Sequence, residues 1–251
     1  IYVGTSGAVL RYNKTTGSFE GWIGIVDTTS PTGGAVGCTI TTTDQRTPGW
    51  CFGGNYKVVN ANVHGTVQSC VYNARDVVVS GTDLYVLNSE NGGVINRYNS
   101  ATGAFIQRLP NLNFAWTNPL AMDFDGSHFY VAADERILKV GTSGLIEGWM
   151  GKVANPASMS GNAGCSTLNT NDNTPGWCIG GTHKPGLDET SFMDQWGVAL
   201  DGAGSFLSVS RNIPALKKFS VSTGMYQGAI GLESISPRQW SSNRNTNVEY
   251  H

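Results

Sequence analysis

Residues 1–24 read IYVGTSGAVLRYNKTTGSFEGWIG, and this stretch decides the fold. Ile1–Val3 is apolar and rich in β-formers, Ala8–Tyr12 alternates apolar and polar residues, Lys14–Gly17 is a turn cluster, and Ser18–Ile23 carries Phe19, Trp22 and Ile23. Period-two patterning bounded by Gly, Asn and Thr clusters is the signal for short antiparallel strands joined by tight turns. The same unit returns at 84–109 (LYVLNSENGGVINRYNSATGAFIQRL), at 129–151 (FYVAADERILKVGTSGLIEGWMG) and at 206–231 (FLSVSRNIPALKKFSVSTGMYQGAIG). Each copy has a Tyr-Val-like start, a middle strand ending in Arg-Tyr-Asn, Lys-Phe-Ser or an equivalent, a turn ending in Gly, and a final strand. A sub-unit recurring at tens of residues calls for a repeat architecture.

A further strand precedes the repeat start: Asp76–Ser80 (DVVVS), Leu120–Phe124 (LAMDF) and Gly197–Asp201 (GVALD). These are the most continuously apolar runs, which predicts strands buried on both faces. Four antiparallel strands per unit, with an apolar innermost one, is the layout of a propeller blade. No long 3.6-residue stripe argues for a helix. The expected fold is all-β, a propeller of four blades, each of four antiparallel strands, in a single domain over 1–251. The repeat starts at 1, 84, 129 and 206 are spaced long, short, long. The chain is therefore also a twofold duplication, 1–128 and 129–251, with blades at about 1–83, 84–128, 129–205 and 206–251. The long units carry insertions at 25–70 and 152–192. The chain starts at the second strand of its first blade, so the expected closing strand is the tail, Ser236–His251.

The cysteines bear on the compartment. Cys38 and Cys51, and Cys165 and Cys178, are both thirteen apart in matching sequences, GCTITTTDQRTPGWC and GCSTLNTNDNTPGWC. Two disulfides within the insertions are the simplest reading, each worth about 3 kcal/mol by loop-closure entropy, and they imply an oxidising compartment. The competing reading is four reduced, zinc-ligating thiols; it lacks a C-x-x-C and a nearby His at ligand spacing. Cys70 is left over and reads as a small buried hydrophobe.

Composition narrows the function classes. Charged residues make up 14% of the 251, and the net charge is −2. That offers no basic face for nucleic acid and no polybasic membrane anchor, and no apolar run is long enough to span a bilayer as a helix. The chain lacks a starting Met and a signal peptide and begins inside a strand pattern, which reads as a processed form or an excised piece of a longer protein.

Few residues read as catalytic. His64, His128, His183 and His251 are the only histidines, and none sits in a nucleophile motif. Asp123, Asp125 and Asp201 lie at inner-strand ends; an acid accepting backbone N–H bonds in a turn explains them. Asn169–Asn173 (NTNDN) suggests calcium but lacks the Gly and distal Glu of an EF-hand loop. Neither a metal nor a cofactor is expected. The aromatic residues are the better candidates for binding. Trp50 and Trp177 occupy identical places in TPGWC, either packed over the disulfide and the neighbouring blade or displayed as stacking platforms. Trp22 and Trp149 recur in the outer strand, where packing between blades is expected. Trp116, Trp196 and Trp240, with Arg75, Asp194 and Arg238, lie at or near inner strands, where they form a candidate ligand surface or pack at the blade start.

The pattern I-x-[RK]-[YF]-x-x-x-T-G-x-[FM]-x-G-x-[IM]-G, following an apolar strand, resembles NHL-type β-propellers. The insertions, GWIG…PTGG…GC…TPGWCxGG, resemble loops of secreted bacterial surface proteins, including fibre-type adhesins. With the disulfide-closed, Trp-bearing loops as the contact surface, these resemblances imply a non-enzymatic, extracellular recognition module of a bacterial surface. Its implied partner is a glycan or protein on another cell surface, and it could be a homotrimer within a larger fibre protein. Two other functions compete: a propeller hydrolase or lyase with a metal in the central channel, and a structural spacer in a repeat array.

Overall fold

A computed structural model describes residues 1–58, 71–89, 93–109, 118–188, 190–211 and 215–231. The expected closing tail and Cys70 lie outside them. Among the described residues every regular element is a strand or a short 3-10 turn, and the strands form four antiparallel sheets. The chain divides into two compact units, 1–119 and 120–251.

In the first unit, β1 (Tyr2–Gly4), β2 (Ala8–Tyr12) and β3 (Phe19–Gly24) form a meander, and the excursion adds β4 (Gly33–Gly34) and β5 (Cys51–Phe52) outside β3. The insertion is thus not only loop: it widens its sheet by two strands in the order β1-β2-β3-β5-β4. The second sheet is a four-strand meander, β6 (Ala74–Ser80), β7 (Asp83–Asn88), β8 (Val94–Asn99) and β9 (Phe105–Arg108). Ser80 pairs with Asp83 across a two-residue turn in which Gly81 takes φ 58°, a conformation that costs glycine nothing.

The second unit repeats the plan. Its first sheet runs β10 (Pro119–Phe124), β11 (His128–Ala133), β12 (Arg136–Gly141) and β13 (Ile146–Asn155), extended by β14 (Ser160–Gly161), β15 (Cys178–Ile179) and β16 (Thr182–Lys184). The other is the meander β17 (Gln195–Leu200), β18 (Ser205–Ser210), β19 (Ala215–Ser220) and β20 (Tyr226–Gly231). In three sheets the third strand slips by one residue against the fourth, at Arg97/Tyr98, Lys139/Val140 and Lys218/Phe219, and in the first sheet β2 slips against β3 at Arg11/Tyr12. Such bulges raise the local twist of a sheet. These meanders are of the kind that make propeller blades.

The inner strands β6, β10 and β17 are only partly buried, contrary to their apolar sequences; the second strands β7 and β11 are buried almost throughout. The physical reason is position. An inner strand is the edge of its sheet, whereas the second strand is flanked on both sides.

Each unit has its own core between its two sheets. In the first, Val9 and Ile23 of one sheet meet Leu84, Val86 and Tyr98 of the other. In the second, Tyr130, Ile137 and Met150 meet Phe206 and Phe219. Tyr130 and Phe206 are stacked at 5.7 Å, and Phe206 and Phe219 at 5.3 Å. Aromatic pairs of this geometry add about 0.5–1.5 kcal/mol each beyond area burial.

Candidate functional site

Cys38–Cys51 and Cys165–Cys178 are both disulfide-bonded. Each bridge closes a 3-10 turn, Cys38–Ile40 or Cys165–Thr167, onto the strand that carries the second cysteine. The Trp before that cysteine points into the core, at 5% exposure in both halves. Trp50 donates its indole N–H to the Ser100 carbonyl (3.0 Å) and its backbone N–H to Thr102 (2.9 Å). Trp177 repeats this on Val221 (2.9 Å) and Thr223 (3.2 Å). The acceptors lie in the Thr-Gly turns between β8 and β9 and between β19 and β20. The disulfide excursion of one sheet therefore docks on the neighbouring sheet of the same unit. An indole spent in this way offers no open face to a ligand.

Trp22 and Trp149, at 3% and 4% exposure, serve a different purpose from the expected packing between blades. They point to the opposite face from their neighbours Ile23 and Met150, as strand alternation requires. Trp22 packs with Ala8, Val26 and Tyr56 and donates to the Gly53 carbonyl (3.1 Å); Trp149 donates to Gly180 (2.8 Å). Both fasten their own excursion to its sheet.

Trp196 differs from the other described tryptophans, since 57% of it is exposed. It sits where β17 bulges against β18, between Gln195 and Gly197, and a bulge re-aims a side chain out of the ladder. The Arg211 guanidinium lies over the ring, 5.6 Å from its centroid, and the Arg211 N–H donates to the Asp194 carbonyl (2.9 Å). Asp194 itself is held at φ 49°. The corresponding bulge of the first unit carries Arg75, exposed, between Ala74 and Asp76; its Nη2 donates to Asn118 Oδ1 (3.2 Å), and Asn73 has φ 46°. Of the sequence candidates, Trp196 and Arg75 thus occupy corresponding bulges in the two halves, and Asp194, just before the first of these, is linked to Trp196 through Arg211. Trp116, Trp240 and Arg238 lie outside the described residues.

Inner-strand acids are structural. Asp125 accepts N–H bonds from Ser127 and His128 (2.7 Å each) and the Tyr130 hydroxyl (2.8 Å). Burial opposes the charge, but those donors outweigh it and hold the carboxyl below its usual range. Asp201 accepts from Ala203 (2.8 Å), Ser205 (2.9 Å) and Lys218 (3.0 Å), which pull it down to about 2. Asp123 Oδ2 accepts the Leu200 N–H (2.7 Å), tying β10 to β17. Where the sequence hints at calcium and an Asx turn is the simpler expectation, Asp172 instead accepts the N–H of Asn169, three residues before it (2.7 Å).

A group that sequence reasoning missed lies in the second unit. The two-residue turn Asp134–Glu135 joins β11 to β12, with Asp134 at φ 49°. Its Asp134 carbonyl accepts the Gln195 N–H (3.1 Å), one residue from Trp196. His183, on β16, places Nε2 3.4 Å from Glu135 Oε2. One ligand atom from each of Asp134, Glu135 and His183 lies within 4.8 Å of the others. Arg136, 5% exposed, acts electrostatically on both His183 and Glu135. Desolvation and the neighbouring Asp134 and Asp194 raise the Glu135 carboxyl, and desolvation and Arg136 lower the His183 imidazole to about 4. Nothing in the local sequence joins the turn to a histidine so far along; β16 pairing with β13 brings them together.

No known protein family and no curated protein sequence matches the chain. Solved structures similar to it include BamB from Moraxella catarrhalis, 14% identical with a TM-score of 0.38 over 93% of this chain and 50% of that one. The AfRom2 CNH domain is 10% identical with a TM-score of 0.37, over 92% and 66%. The computationally designed Ika8 protein is 10% identical with a TM-score of 0.31, over 93% and 84%. The chain thus spans half the length of the BamB chain. Likenesses this loose carry no argument about site or function. Among the described residues no helix is long and apolar enough to cross a membrane.

Proposed function

We propose that the chain is an extracellular, non-enzymatic recognition module that binds a glycan displayed on a cell surface. The observation that carries this reading is the Trp196 cluster. A rigid indole, more than half exposed, is propped by the Arg211 guanidinium. An indole face suits the apolar face of a sugar ring, and the neighbouring guanidinium suits its hydroxyls. The two disulfides support the extracellular placement, because such bonds persist in oxidising compartments. The resemblance to NHL-type repeats and bacterial fibre adhesins belongs to the same reading, as do membership of a larger fibre protein and trimerisation. Placing the ligand at Trp196 leaves Trp50 and Trp177 to hold the sheets.

The test is a glycan array probed with the labelled full chain and its Trp196→Ala variant. Wild type binds a defined set of glycans, and the variant loses at least about tenfold in affinity at unchanged melting temperature. Absence of glycan binding by wild type, or equal binding by the variant, overturns the reading. A surface protein would then be sought by binding to whole cells. A hydrolase or lyase is a second reading, favoured by the Asp134–Glu135–His183 group; turnover abolished by chelation would distinguish it.

A further inference from the structure

We propose that Asp134, Glu135 and His183 form a binding site for a divalent transition-metal cation, of which Zn²⁺ is the representative. The inference stands apart from the recognition reading and concerns a different set of side chains.

The donor set fits. One imidazole nitrogen and two carboxylate oxygens are the mixed N/O set that borderline divalent ions take. The three atoms lie within 4.8 Å of one another, with His183 Nε2 and Glu135 Oε2 at 3.4 Å. A cation about 2.0–2.2 Å from each donor needs only small side-chain rotations to be seated.

The donors are also presented rigidly. The Asp134–Glu135 turn is closed by the β11–β12 hairpin and pinned through the Asp134 carbonyl by Gln195. His183 is locked into the β13–β16 ladder opposite Val153, with its ring edge-to-face on Trp149 at 6.2 Å. His183 thus stands on a strand, which holds its geometry better than a loop does, and the two carboxylates come from a tight turn held at both ends. Glu135 also feels Asp134, Asp194 and Arg136 electrostatically, so the group is charged on several sides.

The duplication supplies an internal control. Trp22 pairs with Leu10 and Trp149 with Leu138, which puts the two halves in register. In that register Cys51-Phe-Gly-Gly-Asn-Tyr56 matches Cys178-Ile-Gly-Gly-Thr-His183. Tyr56 packs on Trp22 at 5.7 Å, where His183 packs on Trp149. Ala8 stands where Arg136 does, and the turn before it, Thr5–Gly7, carries no carboxylate. The fold therefore needs neither a histidine nor acids here: one half is apolar at this place, and the other has gathered four ionisable groups.

The experiment uses the full chain, stripped with EDTA, titrated with ZnCl₂ by calorimetry and followed by thermal unfolding. Wild type should bind Zn²⁺ saturably and melt higher with it, because a ligand that binds only the native state stabilises it. His183→Tyr installs the residue of the first half. It should fold as wild type does without zinc and lose at least about tenfold in Zn²⁺ affinity. Glu135→Gln should do the same and guards against a folding defect in the first variant. No saturable binding below about 1 mM Zn²⁺, or binding unchanged in both variants, overturns the proposal.

Discussion

Among single residues, burial decides what each repeated side chain does. The two TPGW tryptophans were legible as a matched pair, and packing and display were both open to them. Their repeated sequence says that they share a role, but which role depends on the Thr-Gly turn that each meets in the neighbouring sheet. Trp196, by contrast, owes its exposure to a one-residue bulge that alternation alone does not reveal. Asp201 was legible as a turn acid, and it carries a pH prediction. Backbone N–H groups of Ala203 and Ser205, with Lys218, lower its folded pKa from 3.8 to about 2. A carboxyl depressed on folding contributes stability that is present above its unfolded pKa and lost as pH falls through the folded one. Asp201→Asn should therefore lower stability at neutral pH and flatten its dependence between about pH 4 and 2. Urea denaturation across that range checks this, and an unchanged slope speaks against it.

At the level of elements, strands and their order were legible wherever period two was clean. The inner strands at 76–80, 120–124 and 197–201 and the three strands after them form close to where their patterns place them. The pairing inside the excursions was not legible, because β4, β5, β14 and β15 are two residues long and carry no period. One contact that joins the sheets within a unit is the fit of a Gly-Trp pair to a glycine turn. Gly103 has φ 74°, and a Cβ there would lie 2.6 Å from the Trp50 nitrogen. Gly17, in the like turn of the first sheet, has φ 69° and open space around it. Both Gly→Ala changes incur the same backbone penalty of about 1–2 kcal/mol. Gly103→Ala should cost about 1–3 kcal/mol more, since it also forces the docked Trp50 away. Equal losses of stability by urea denaturation would show that the docking contributes little.

Over the whole molecule, the twofold repeat was plain in the sequence and the divergence of its halves was not. Both units use a disulfide, a Trp wedge and a pair of sheets, yet one surrounds Trp22 with Ala8, Val26 and Tyr56, and the other gathers acids, Arg136 and His183 near Trp149. Sequence alone does not show that the Asp134–Glu135 turn and His183 are neighbours; strand pairing makes them so. Among the described residues, buried tryptophans hold the sheets together and one exposed tryptophan, Trp196, is the one proposed to meet a partner. Urea unfolding of Trp177→Ala and Trp196→Ala, run side by side, tests this division most directly. Trp177→Ala should lose about 3–5 kcal/mol, whereas Trp196→Ala should stay within about 0.5 kcal/mol of wild type. The opposite order, with Trp196→Ala the destabilised variant and Trp177→Ala near neutral, would contradict it.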